Sequence, residues 1–188
     1  MGQYYNIIIK RVGERKVYAF DRHIDGEYTM AKLTEHSWWL NSMVNAIAEK
    51  LYYAPSKIAW VGDYANENEE ETKLWKLAYG KKKYEMLHKT QFNLNGKFIV
   101  NHTKKLYFDC WQFLVDSIRQ NPSQEYCAWV LNPLPLLVAV GNGRGGGDYD
   151  GINKEQIGCW AWDTLEIVEY ETLKDYKGFQ EFKVLFID

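Results

Sequence analysis

This chain is short of the residues that staple, stiffen or polarise a protein. It has 3 cysteines in 188 residues. Cys110, Cys127 and Cys159 are odd in number and widely spaced, so they form no zinc or thiol–disulfide motif. They read as reduced, mostly buried thiols. Proline is equally sparse, at 4 residues. Neither charge dominates: 23 Lys+Arg face 25 Asp+Glu, a net charge of −2. That balance argues against a dedicated nucleic-acid binder, which carries a basic field. Long apolar runs are missing too. The longest, Leu134 to Val140, is far below the ~20 residues of a membrane span. The first ten residues hold no basic segment followed by an apolar one, so no signal peptide is read, and a cytoplasmic location is expected.

What is present is a full apolar complement. Hydrophobic residues make up 46% of the chain, which excludes whole-chain disorder. The length suits one domain, residues 1–188, with a core of its own. Aromatics reach 16%, above the ordinary level.

Local patterns predict the elements. Tyr4 to Val12 and Lys16 to Phe20 read as strands joined at Gly13-Glu14-Arg15. A helix is expected from Thr34, with Trp38, Leu40, Met43, Val44, Ile47 and Leu51 on one face and Pro55 as its stop. Lys57 to Val61 reads as a buried strand. Glu67 to Glu71 supplies acids ahead of a second helix over Thr72 to Tyr79. Phe98 to Val100 reads as strand, and Leu106 to Arg119 fits helix better than strand. Asn121-Pro122-Ser123 breaks the chain. Tyr126 to Leu131, Leu136 to Val140, Gly158 to Tyr170 and Phe182 to Phe186 read as strands. The expected fold is α+β, a mainly antiparallel sheet with two or three helices packed on it.

The most informative stretch is Val140 to Gly151, with six of the chain's 14 glycines. Glycine is costly to order, so such density implies sharp bends or a close approach. Successive N–H groups in such a loop can form an anion nest. Arg144 would clamp a phosphate, the amides of Gly143, Gly145 and Gly146 would line it, and Asp148 would accept sugar hydroxyls. The pattern is neither a Walker nor a Rossmann loop, because no Gly-Lys-Ser/Thr ends it and no helix follows. Trp60, Tyr64, Tyr149 and Trp160 lie beside Gly–Asp or Asp turns and would wall a flat ligand. Asp63, Asp148 and Asp163 would share one rim if their strands were neighbours. His36, His102 and Asp63 are the candidate acid–base groups, with Mg²⁺ as an optional cation. No His/Cys spacing suggests a resident metal.

Several of these stretches together resemble a family of small proteins from bacteria and their phages. They are Met1-Gly2-Gln3-Tyr4-Tyr5, Glu35-His36-Ser37-Trp38 with Asn41, Trp60-Val61-Gly62-Asp63-Tyr64-Ala65, Asn101-His102-Thr103-Lys104-Lys105 and Gly141 to Tyr149. The resemblance spans most of the chain in order. It implies no particular activity, but it implies a phage-related setting. Family members carry an arginine where this chain has Trp162 in Gly158-Cys159-Trp160-Ala161-Trp162-Asp163.

Three functions follow as expectations. The first is a binding protein for a phosphate-bearing, nucleotide-like molecule, such as a sequestered signal. The second is an enzyme acting on such a molecule. The third is a protein-interaction module or an inhibitor of a host protein. From Asn142 onward 5 basic face 10 acidic residues, which would suit a basic partner. Neither nucleic acid nor membrane is an expected partner.

Overall fold

Tyr5–Arg11 (β1) carries three consecutive isoleucines, all buried. Successive strand residues point to opposite faces, so an all-apolar run needs cover on both sides. The computed structural model supplies that cover; it describes residues 1–29, 31–80, 83–120 and 130–187. β1 lies inside the sheet, paired antiparallel with β2 (Tyr18–Ile24) and β4 (Ser56–Gly62). Ile7 and Ile9 join the larger core, and Ile8 joins a smaller one on the other face.

The remaining elements are β3 (Glu27–Tyr28), α1 (Ser42–Tyr53), α2 (Glu69–Tyr79), β5 (Glu85–Leu87), β6 (Lys97–Asn101), β7 (Leu106–Asp109), α3 (Cys110–Gln120), α4 (Pro133–Val138), β8 (Ala139–Val140), β9 (Thr164–Glu169), α5 (Tyr170–Leu173) and β10 (Gln180–Glu181). The order across the ten-stranded sheet is β10-β7-β6-β9-β4-β1-β2-β3, with β5 beside β2 and β8 beside β4. Pairing is antiparallel except at β10–β7, β2–β5 and β4–β8. Residues of α1, α3 and α4 fill the larger core, and α2 closes the smaller one through Leu74 and Ala78. The fold is therefore α+β, as the composition and patterns indicate. Among the described residues five helices form, more than the two or three expected. None is long and apolar enough to cross a membrane.

Five local expectations are corrected. The first helix starts at Ser42, not near Thr34. Asn41 is its cap, accepting from the amides of Met43 (2.9 Å) and Val44 (3.1 Å). Upstream, Trp39 N–H donates to Val130 O and Asn132 N–H to Ser37 O. This strand-like pairing uses backbone groups that a longer helix would need. Leu136 to Val140 is not a strand: Asn132 caps α4 through Leu134 N–H and Pro133 opens it, so only Ala139–Val140 pairs. Leu106 to Arg119 divides into β7 and α3. The strand near Gly158 begins only at Thr164, and Phe182 to Phe186 carries no strand. Asn121-Pro122-Ser123, Cys127 and most of Tyr126 to Leu131 lie outside the described residues.

Asn41→Ala should cost about 1 kcal/mol, because two helix amides lose their acceptor. Its Nδ2 also donates to His36 O at 2.6 Å, so the turn before α1 loosens with it. Urea unfolding followed by circular dichroism measures this.

Candidate functional site

The glycine loop folds around Gln3. This side chain is fully buried. Its Nε2 donates to Tyr5 Oη (2.9 Å), Gly141 O (2.7 Å) and Asp148 Oδ2 (2.8 Å). Its Oε1 accepts from Tyr64 N–H at 3.1 Å. The backbone follows suit: Gln3 N–H donates to Gly146 O, and Gly146 N–H to Met1 O. The opening residues, the Gly62-Asp63-Tyr64 turn and the glycine loop thus meet at one amide.

The anion nest exists, and Asp148 fills it. Asp148 Oδ2 accepts from the amides of Gly143 (2.8 Å), Arg144 (2.8 Å) and Gly145 (3.0 Å). Its Oδ1 accepts from Tyr5 Oη at 2.7 Å. Burial raises the Tyr5 phenol well above its ordinary value, and the nearby Asp148 charge adds to that. Tyr5 therefore stays a neutral donor at every physiological pH.

Arg144 is also engaged from within. Its Nη1 donates to Glu71 Oε2 (2.5 Å) and Tyr64 O (3.1 Å), and its Nη2 to Glu71 Oε1 (2.9 Å) and Glu67 Oε2 (2.8 Å). The fork against Glu71 is bidentate and mostly shielded, with side chains 19% and 17% exposed. The hydrogen bonds from Arg144 hold the Glu71 carboxyl below its usual range. A lowered folded value adds stability above the unfolded glutamate's pKa of about 4.3, and that stability is lost as pH falls through the lowered value. Arg144→Ala should cost about 2 kcal/mol at neutral pH, between an exposed and a fully buried pair. The variant should also lose less further stability than the parent as pH falls from about 5 to about 2. Thermal melts at neutral pH and across that range check both.

The candidate aspartates and histidines do not converge. Asp63 Oδ1 accepts from Tyr4 N–H (3.2 Å) at the carboxyl end of β4. Asp163 accepts from Asn101 Nδ2 and pairs with Lys104, both at 2.8 Å. It precedes the β9 residues that pair with Ser56 and Lys57, at the opposite end of β4. Seven residues separate the two ends, roughly 20 Å of strand. The shared rim does not form. His102 sits with Asp163's group: its Nε2 is 2.8 Å from Glu166 Oε2, which also accepts from Tyr176 Oη at 2.6 Å. Its turn docks on β9 through His102 N–H to Thr164 O and Thr164 N–H to Thr103 Oγ1. His36 lies in the turn whose Thr34 donates to Gly147 O. Its Nδ1 is buried without a hydrogen-bond partner among the described residues, and desolvation lowers the ring's pKa. No hydrogen bond among the described residues joins His36 or His102 to Asp63, Arg144 or Asp148.

Three of the four expected aromatic walls are core, and Tyr64 is only partly buried after the Gly62-Asp63 turn. Trp60, Tyr149 and Trp160 are at most 1% exposed and pack into the larger core. Trp111, by contrast, is half exposed. Asp148 already accepts five hydrogen bonds, which leaves its oxygens little room for a cation. Among the described residues no three His, Cys, Asp or Glu side chains gather to hold a metal.

An open cleft of about 470 Å³ lies beside the loop, between α2, the end of β8 and residues 157–162. Glu71, Leu74, Val140, Arg144, Ile157 and Trp162 line it, with Glu70 and Lys154 as further charges. Neither His36, His102 nor Asp148 does. Trp162 supplies this wall's aromatic ring. It holds φ at 62°, a left-handed conformation costly for a bulky side chain. That turn lets its N–H reach Ile58 O at 2.7 Å, in the gap on β4 between β8 and β9. No family model, curated protein or solved structure matches this chain.

Proposed function

We propose that this chain is a small-molecule binding protein and that the cleft between α2, β8 and residues 157–162 holds its ligand. The observation that carries the reading is the wall itself: Trp162, in a costly left-handed backbone, faces the same space as the Arg144–Glu71 pair. Strained residues of this kind cluster at ligand clamps. The volume is within the range of small-molecule pockets.

The charges narrow the ligand. Glu70 and Glu71 balance Arg144 and Lys154 along the lining, and Arg144 is already saturated by Glu71 and Glu67. A free phosphate would have to displace those carboxylates and would meet the acidic first turn of α2. A neutral or zwitterionic molecule with a flat ring, such as a nucleoside, fits better: the ring lies against Trp162 and polar groups meet the charged pair. Binding alone would serve to sequester a signal in a phage setting.

Native mass spectrometry of the purified protein, followed by chromatography after denaturation, tests this. A nucleoside panel monitored by tryptophan fluorescence supplements it. A released small molecule, or saturable quenching that Trp162→Ala abolishes without loss of fold, is expected. No adduct and no quenching up to about 1 mM would remove the reading.

A further inference from the structure

A second recess lies at the β10–β7 edge of the sheet, with β6 and β9 between that edge and β4. It has a volume of about 400 Å³ and runs between α3 and residues 181–185. Phe108 and Phe113 form a floor that is almost fully buried, and Phe182 packs beside them. Asp109, Asp116 and Glu181 line its rim. The one lysine there, Lys183, is 3.1 Å from Glu181, and Asp116 has Arg119 at 3.6 Å. Asp109 pairs with no cation among the described residues; its Oδ1 accepts from Gln112 N–H at the start of α3.

The backbone beside this recess is open. Phe182 N–H donates to Tyr107 O at 2.8 Å, the last backbone bond this segment makes to β7. Leu185 O accepts from Asn153 Nδ2 at 2.8 Å. Between them, the N–H and C=O groups of Lys183 and Val184 have no hydrogen-bond partner among the described residues. An unpaired segment at a sheet edge is a template for another strand.

We propose that this groove takes an extended, basic peptide of a partner protein, added alongside residues 182–185. Main-chain pairing would supply binding, and alternate side chains would supply specificity. In an extended peptide one apolar side chain would enter the phenylalanine floor while its neighbours project to the rim. Lysine or arginine at those neighbours would meet Asp109, Asp116 and Glu181. The excess of acid over base from Asn142 onward, 10 against 5, draws the same partner from a distance. The groove is independent of the cleft and of any small ligand there.

Fluorescence anisotropy with labelled heptapeptides, read at physiological salt on the full chain, tests this. A peptide of alternating lysine and leucine should bind. Alternating lysine and glycine, alternating glutamate and leucine, and the lysine–leucine peptide N-methylated on its pairing amides should each bind at least about tenfold more weakly. The double variant D109N/D116N should weaken lysine–leucine binding by about tenfold or more. Its melting temperature should stay close to the parent's, because asparagine caps a helix as well as aspartate does at 109, and the exposed Asp116–Arg119 pair contributes little. Equal binding of the lysine–glycine peptide would reduce the effect to general charge attraction and overturn the proposal. Unchanged binding by the double variant, no binding of the lysine–leucine peptide, or a dimer in sedimentation that the peptide cannot displace would each overturn it as well.

Discussion

Asp148→Ala is expected to lower stability by about 4 kcal/mol. The carboxylate is the common acceptor for Gln3, Tyr5 and three successive loop amides. Gln3 keeps other acceptors, and the exposed Gly143 amide can turn to water. The Tyr5 hydroxyl and the amides of Arg144 and Gly145 are shielded and lose their partner. Each unsatisfied buried donor costs about 1–3 kcal/mol, and water entering the vacated space offsets part of the total. In a domain of this size the loss corresponds to a fall in melting temperature of about 10 °C. Asp148→Asn keeps one acceptor oxygen and should recover about half of it. Urea and thermal melts measure both. A loss below about 1 kcal/mol for the alanine variant would mean that the nest does not hold the loop.

Two neighbouring glycines should respond in opposite ways. A Cβ on Gly145 would lie 2.5 Å from Gln3 Cβ, 2.7 Å from its N and 3.0 Å from its Cα. Gln3 cannot retreat, because its amide is bonded on both sides. Gly145→Ala should therefore cost about 3 kcal/mol or more. At Gly146 the nearest atom to an added Cβ is 3.7 Å away, at Gly2 Cα, and φ is not positive. Gly146→Ala should stay within about 0.5 kcal/mol of the parent. A loop left open to admit an anion would tolerate both substitutions in the absence of ligand. Denaturant midpoints of the two variants, measured side by side, separate these pictures.

The two responses also show how far the sequence could be read. The β1–β2 hairpin, β4 and α2 were legible because their signals are local: β-branched runs, a turn between them, acids before an amphipathic segment. Asn132-Pro133 is local as well, a cap followed by proline in the first turn, and it marks α4 where the apolar run suggests a strand. The start of α1 was not legible. Trp38 and Leu40 continue the helical spacing of Met43 to Leu51, but the backbone of residues 37–39 pairs with residues 130–132 far along the chain. The glycine loop was recognisable as a nest, and its physics was right. Its anion comes from the chain itself, a few residues downstream. The partner that explains Gly62 and Gly145 is Gln3, and no local pattern points from one to the other. The aromatic excess misled for a related reason. A tryptophan near an aspartate looks alike in sequence whether it faces the core, as Trp60 and Trp160 do, or a cleft, as Trp162 does.

The glycine loop is closed by its own carboxylate, which leaves the neighbouring cleft as the proposed ligand site. Amide resonances from ¹H–¹⁵N correlation spectra, followed while inorganic phosphate is added to about 10 mM, test it most directly. The account predicts that the signals of Gly143, Arg144 and Gly145 stay where they are, because Asp148 already occupies their N–H groups. A saturating shift confined to those three amides would show phosphate entering the nest, and would contradict it.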